Sequence, residues 1–104
     1  MKRNVSRQFQ RGDRDANEKE ILAVLRAAGE PFIILSPGDG ADLLLRSNPM
    51  CFIEVKNGKD AKLTEAEKAL KWDCEERGIE YHILRSAEDA AAMLAERLEK
   101  ATTK

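Results

Sequence analysis

Asp42-Leu43-Leu44-Leu45, followed after five residues by Cys51-Phe52-Ile53-Glu54-Val55-Lys56, is the stretch on which the reading of this chain turns. Two short apolar runs joined by the turn residues Ser47-Asn48-Pro49 read as neighbouring strands. Side chains alternate faces along a strand, so Phe52, Glu54 and Lys56 point one way while Cys51, Ile53 and Val55 point the other. A Glu and a Lys inside so apolar a strand are costly to bury unless they are paired or bound to a metal. Asp42 heads the adjacent strand, and the three groups together can hold a divalent cation and a water against a phosphate.

Outward from this pair, the chain divides cleanly into elements. Asp15-Ala16-Asn17-Glu18 fits a capping box that opens a helix, with Ile21, Leu22, Leu25 and Ala28 along one face. Gly29 and Pro31 stop it. Phe32 to Leu35 is a strand, Ser36-Pro37-Gly38-Asp39-Gly40 is turn chemistry, and Ala41 to Arg46 and Cys51 to Lys56 are the next two strands. Asn57 to Lys62 is a polar loop. Thr64 with Glu67 forms a second capping box, for a helix running to about Arg77 and ending at Gly78. Glu80 to Leu84 is a fourth strand. Ser86 caps a last helix, with Asp89 at its third position and Ala90, Met93, Leu94 and Leu98 on the expected inner face. The order α-β-β-β-α-β-α predicts an α/β fold: an antiparallel meander of three strands, a helical crossover, and a fourth strand parallel to its neighbour. The sheet is therefore mixed and four-stranded, with helices on both faces.

With 104 residues, 42% hydrophobic and 36% charged, the chain suits one globular domain with a single core. No apolar stretch approaches the roughly 18–20 residues of a membrane span, and no apolar segment follows the basic N-terminus as in a signal peptide. Cys51 and Cys74 lack metal-ligand spacing and are expected to be reduced thiols of a cytoplasmic protein. The net charge of −1 conceals an asymmetry. Lys2, Arg3, Arg7, Arg11 and Arg14 face only Asp13 in residues 1–14, a balance of +4 that leaves −5 for the remainder. Residues 1–14 thus read as a flexible basic arm, either reaching an anionic partner or simply solvated, and residues 15–100 as the domain.

Other groups admit plainer readings. Glu54 and Lys56 could be a surface salt bridge of about 0–1 kcal/mol. Glu18 and Glu67 each occupy the third position of a capping box, and Asp39 suits the turn. Glu20 competes weakly with Glu18. His82 has no second histidine in the chain, which leaves a histidine-based metal site or a Ser-His-Asp triad without support. Trp72 reads as core or dimer interface before base-stacking platform. Lys59, Lys62, Lys68 and Lys71 surround the polar loop and suit phosphate contacts or a solvated face. Gly38-Asp39-Gly40 lacks the Lys-Ser/Thr ending of a phosphate-binding loop.

The order αβββαβ(α) with Asp42, Glu54 and Lys56 resembles the PD-(D/E)XK nuclease superfamily, whose core is restriction-endonuclease-like. Within it the chain is most similar to the virus-type replication-repair nuclease domain, VRR-NUC, over about residues 14–95. The matching pieces are Arg14 to Glu18, Asp42-Leu43-Leu44, Phe52 to Lys56, Lys62-Leu63-Thr64 and Arg85-Ser86. It departs from the family at Ala41, where a Pro usually precedes the Asp, and at Glu67, where many members have Gln. The resemblance implies Asp42, Glu54 and the Val55 carbonyl as ligands of Mg²⁺ or Mn²⁺, Lys56 as the group that orients or helps deprotonate the attacking water, and Glu18 as a support acting through metal-bound water. Glu67 is a possible auxiliary, and Arg11, Arg14, Lys59 and Lys62 are the expected DNA contacts.

The expected function is that of a metal-dependent DNA endonuclease, acting as a homodimer on branched DNA in the manner of a Holliday-junction resolvase. Its expected setting is replication, recombination or DNA repair in a bacterial cell or phage-infected host, without a small-molecule cofactor or membrane partner. A nuclease indifferent to branching and a DNA-binding subunit without catalysis remain the alternatives.

Overall fold

The computed structural model describes residues 17–36, 38–58 and 60–102. The first helix, α1, covers 17–27 of these. The elements that follow are β1 (Phe32–Ile34), β2 (Leu43–Leu45), β3 (Cys51–Val55), α2 (Glu65–Arg77), β4 (Glu80–Leu84) and α3 (Ala87–Thr102). The basic arm, with Arg11 and Arg14, lies outside the described residues, as do the Asp15 cap and Lys59. No helix among the described residues is long and apolar enough to cross a membrane.

Local chemistry sets the helix ends. Gly29, at φ 75°, lets α1 close with Glu30 N–H donating to Leu25 O and Gly29 N–H to Arg26 O, both at 3.0 Å. These are the paired bonds of a Schellman ending, which a residue with a Cβ adopts at a cost. Thr64 Oγ1 accepts from Glu67 N, and the Glu67 carboxylate accepts from Thr64 N at 2.7 Å, so the α2 capping box forms as the sequence predicts. Ser86 Oγ likewise accepts from Asp89 N at 3.1 Å.

The sheet has the order β1-β2-β3-β4, with the first two pairings antiparallel and β3–β4 parallel. This is the expected mixed α/β sheet. β1, β2 and β3 are shorter at their ends than expected, while β4 has the expected span, and Leu35 N→Asp42 O and Arg46 N→Pro31 O bonds of 2.8 Å continue the β1–β2 ladder at both ends. One face carries the core: Leu43 and Leu45, Cys51, Ile53 and Val55, and Leu84 meet Ile21, Leu22 and Leu25 of α1 and Ala90 and Met93 of α3. Each fully buried Leu or Ile here contributes about 1.5–3 kcal/mol. The α2 helix packs on the opposite face, where Phe52, Glu54 and Tyr81 project.

The inward placement expected for Leu98 and Ala28 is not found, and of the two readings of Trp72, core or dimer interface, the core one is removed. Leu98 is 66% exposed and Trp72 is 58% exposed, so neither belongs to the core. In the C-terminal part of α3 the inward position belongs to Arg97, which reaches Glu80. Trp72 lies on the outer side of α2, whose buried residue is Cys74.

Gly40 governs how closely α2 approaches the loop ahead of β2. It has φ +95°, and a Cβ there would sit 2.9 Å from Leu70 Cβ and 3.0 Å from Ala66 O. Its carbonyl accepts a 2.7 Å bond from Tyr81 Oη. Gly40→Ala combines left-handed backbone strain with overpacking against a helix backbone, and should cost about 1–3 kcal/mol. Chemical denaturation that finds Gly40→Ala as stable as the wild type would show that this approach does not constrain α2.

Candidate functional site

The β2–β3 register pairs Leu43 with Ile53 and Leu44 with Phe52. Continued by one residue, it sets Asp42 opposite Glu54, on the face away from the core. Asp42 is fastened there by its own backbone and side chain: its N–H donates to Ile53 O at 2.9 Å, and its Oδ2 accepts from Val55 N at 2.7 Å. The carboxylate thus replaces a ladder partner where β2 ends, which ties its orientation to the backbone of the strand bearing Glu54.

Glu54 is only 2% exposed. Lys56, two residues on and on the same face, places Nζ 3.5 Å from Glu54 Oε2 and 2.8 Å from Glu67 Oε1. The pair is therefore not a surface salt bridge. Glu67 is both the capping-box residue of α2 and a partner of the site, so the two roles coincide in one side chain. The end of β3 is further tied down by Asn17 Nδ2, which donates to Lys56 O at 2.9 Å, and by Lys56 N, which donates to Leu84 O at 3.0 Å. Arg85 Nη1 donates to Gly58 O at 2.6 Å and Ala61 O at 3.3 Å, and so anchors the loop that follows.

Burial, more than any neighbour, pushes the Glu54 carboxyl up to about 8, with its hydrogen bond to Glu67 and the charges of Asp42 and Glu67 adding to the effect and Lys56 opposing it. For Glu67 burial acts upward too, but the hydrogen bonds from Glu54, Lys56 and Thr64 outweigh it and lower its pKa. Of the two carboxyls, Glu54 is the one whose protonated form the surroundings favour. Tyr81 is raised by burial and then by the negative field of Glu54, Glu67 and Asp42. Two carboxyl groups crowded enough to hold one of them protonated are a donor pair that a divalent cation would satisfy by displacing the proton.

Among the other expected residues, Glu18 is half-buried at the start of α1, but it does not join Asp42 and Glu54 in a compact ligand trio. Glu20 is exposed. Asp39 is a turn residue, its Oδ2 accepting from Ser36 N at 2.9 Å. Lys62 is exposed, while Lys68 and Lys71 pair along α2 with Glu65 and Glu75 as a solvated helix face does.

Among the described residues, the one group of three Cys, His, Asp or Glu side chains with ligand atoms all within 4.8 Å of one another is Cys51, Glu80 and His82, on the core side of the sheet. Sequence reasoning missed it. Glu80-x-His82 has the two-residue spacing that puts both on one face of a strand, but Cys51 joins them only through the parallel register that pairs it with Glu80. Burial, outweighing the opposing Arg97 charge, pushes the Cys51 thiol up to about 11. Both cysteines are free and buried.

A carboxyl whose pKa is raised by folding stabilises the fold fully below its unfolded value, near 4.5, and loses that contribution as pH rises through about 8. Thermal stability of the metal-free protein should therefore contain a component that declines between about pH 4.5 and 8. Glu54→Gln, which keeps a neutral donor, should flatten that component. Identical pH slopes in the two proteins would contradict the assignment of the proton to Glu54.

No protein-family model matches the chain, and no curated protein or solved structure matches it, so its functional reading rests on the geometry of its own residues.

Proposed function

We propose that this chain is an Mg²⁺- or Mn²⁺-dependent nuclease of the PD-(D/E)XK type that hydrolyses phosphodiester bonds in DNA. The observation that carries the reading is the position of the buried Glu54 carboxyl, opposite Asp42 on the neighbouring strand and 3.5 Å from the Lys56 ammonium. Nothing in core packing calls for this set; it leaves a carboxyl buried and an ammonium largely covered, which is costly unless the groups are paired or bind something.

Asp42 and Glu54 are oxygen donors of the hardness that Mg²⁺ and Mn²⁺ prefer, with the Val55 carbonyl beside them on the same strand. The bound ion would supply a water of lowered pKa and a polarised phosphoryl oxygen. Glu54 would bind the ion in its ionised form, so the ion would oppose the upward push that burial exerts on this carboxyl. Lys56 faces the scissile phosphate, neutralising charge that develops on it and orienting the attacking water. Glu67 pairs with Lys56 and limits its rotamers, and Asn17 and Arg85 hold the backbone on either side. The basic residues of 1–14, with Lys59 and Lys62, contact the DNA backbone, which makes binding weaken steeply with salt.

In its fuller form the reading is of a homodimer on branched DNA, since a two-fold axis matches the symmetry of a four-way junction.

The test is cleavage of a labelled four-way junction and a duplex of equal length with Mg²⁺, Mn²⁺ or EDTA. Metal-dependent incision is expected, preferentially in the junction. Lys56→Ala should slow it by at least about 100-fold while leaving DNA binding largely intact, and Glu54→Ala should abolish it. Equal cutting of both substrates would remove branch selectivity from the proposal. Binding without any cutting would replace it with a DNA-binding subunit.

A further inference from the structure

We propose that Cys51, Glu80 and His82 form a zinc site, separate from the Asp42–Glu54 pair and on the opposite face of the same sheet. Their ligand atoms all lie within 4.8 Å of one another, and His82 Nε2 is 3.0 Å from Glu80 Oε1. Tetrahedral Zn²⁺, at about 2.3 Å from sulfur and about 2.0–2.1 Å from nitrogen and oxygen, needs ligand atoms about 3.3–3.6 Å apart. Closing the trio on an ion therefore requires side-chain shifts of about an ångström and no change of strand register. The donor set selects the ion: a thiolate and an imidazole favour Zn²⁺, whereas Mg²⁺ and Mn²⁺ take oxygen ligands. Thiolate and carboxylate together balance the charge of the ion, and three protein ligands leave a fourth position for water.

The surroundings support such a centre. Arg97 Nη1 donates to Glu80 Oε1 at 2.7 Å, and its Nη2 donates to Ser47 Oγ at 3.2 Å and Pro49 O at 2.7 Å. The carboxylate is thus oriented from outside, as ligating carboxylates usually are. A cleft of about 570 Å³, lined in part by Glu80, Arg97, Ser47 and Glu30, runs alongside. His82 is partly exposed on the edge strand, whereas Cys51 is fully buried. An ion can therefore approach from the β4 side and meet the thiol last. Binding forms a Zn–S bond as the Cys51 S–H proton passes to solvent, with no change of oxidation state. Once in place, the ion joins β3 to β4 at the end of the sheet remote from Lys56 and holds the strand that carries Glu54.

The test uses the full chain with Zn²⁺, and with Co²⁺ as the spectroscopic probe, beside Cys51→Ala, His82→Gln and Cys74→Ala. One equivalent of Zn²⁺ should bind and raise Tm. Co²⁺ should produce a thiolate-to-metal charge-transfer band in the near ultraviolet. Band and Tm shift should persist in Cys74→Ala and disappear in both Cys51→Ala and His82→Gln. The partly exposed His82 keeps the test informative if Cys51→Ala folds poorly. Absence of Zn²⁺ uptake would overturn the site, leaving an Arg97–Glu80 ion pair with His82 hydrogen-bonded to it. Uptake without a thiolate band, or unchanged in His82→Gln, would place the ion elsewhere and overturn it equally.

Discussion

The register of β3 between its two neighbours is the constraint on which the rest depends. Leu43 opposite Ile53 and Cys51 beside Glu80 are two expressions of one alignment. A slip of a single residue would turn Glu54 into the apolar core and Ile53 toward α2. The buried apolar set on one face opposes that slip, at about 1.5–3 kcal/mol for each large side chain that would lose its burial. Hydrophobic packing on the core side thereby positions the polar groups on the other.

The Asp42 carboxylate uses that register and also reinforces it. By accepting the Val55 N–H at 2.7 Å it closes the ladder where β2 runs out, and it stands opposite a carboxyl that is 2% exposed. An acid in that place would be expensive if nothing answered it. Lys56 offsets its charge, and Glu67 hydrogen-bonds its protonated form. Because Glu67 is also the α2 capping residue, the start of a helix and the charge balance of the site are one structure, and neither can be altered without the other.

The two faces of the sheet carry chemically different donor sets. The α2 face offers carboxylates and a backbone carbonyl, all hard oxygen donors. The core face offers a thiol, an imidazole and a carboxylate within 4.8 Å, beside a guanidinium that orients the carboxylate. Alternation along β3 separates Cys51 from Glu54, so one strand serves both without their donors mixing.

Local periodicity and capping were enough, in the sequence by itself, to determine the order of elements, the ends of α2, the span of β4, and Asp42, Glu54 and Lys56 as neighbours on one face. Those features depend on residues close in the chain or on the two-residue period of a strand. Tertiary structure alone decided the rest. The exposure of Trp72 and Leu98 follows from how each helix docks on the sheet, which helical periodicity does not specify. The double duty of Glu67 required α2 to dock beside β3. The Cys51–Glu80–His82 trio exists only because a crossover brings β4 parallel to β3 with Cys51 beside Glu80, an alignment between residues far apart in the chain that packing, and not local propensity, selects.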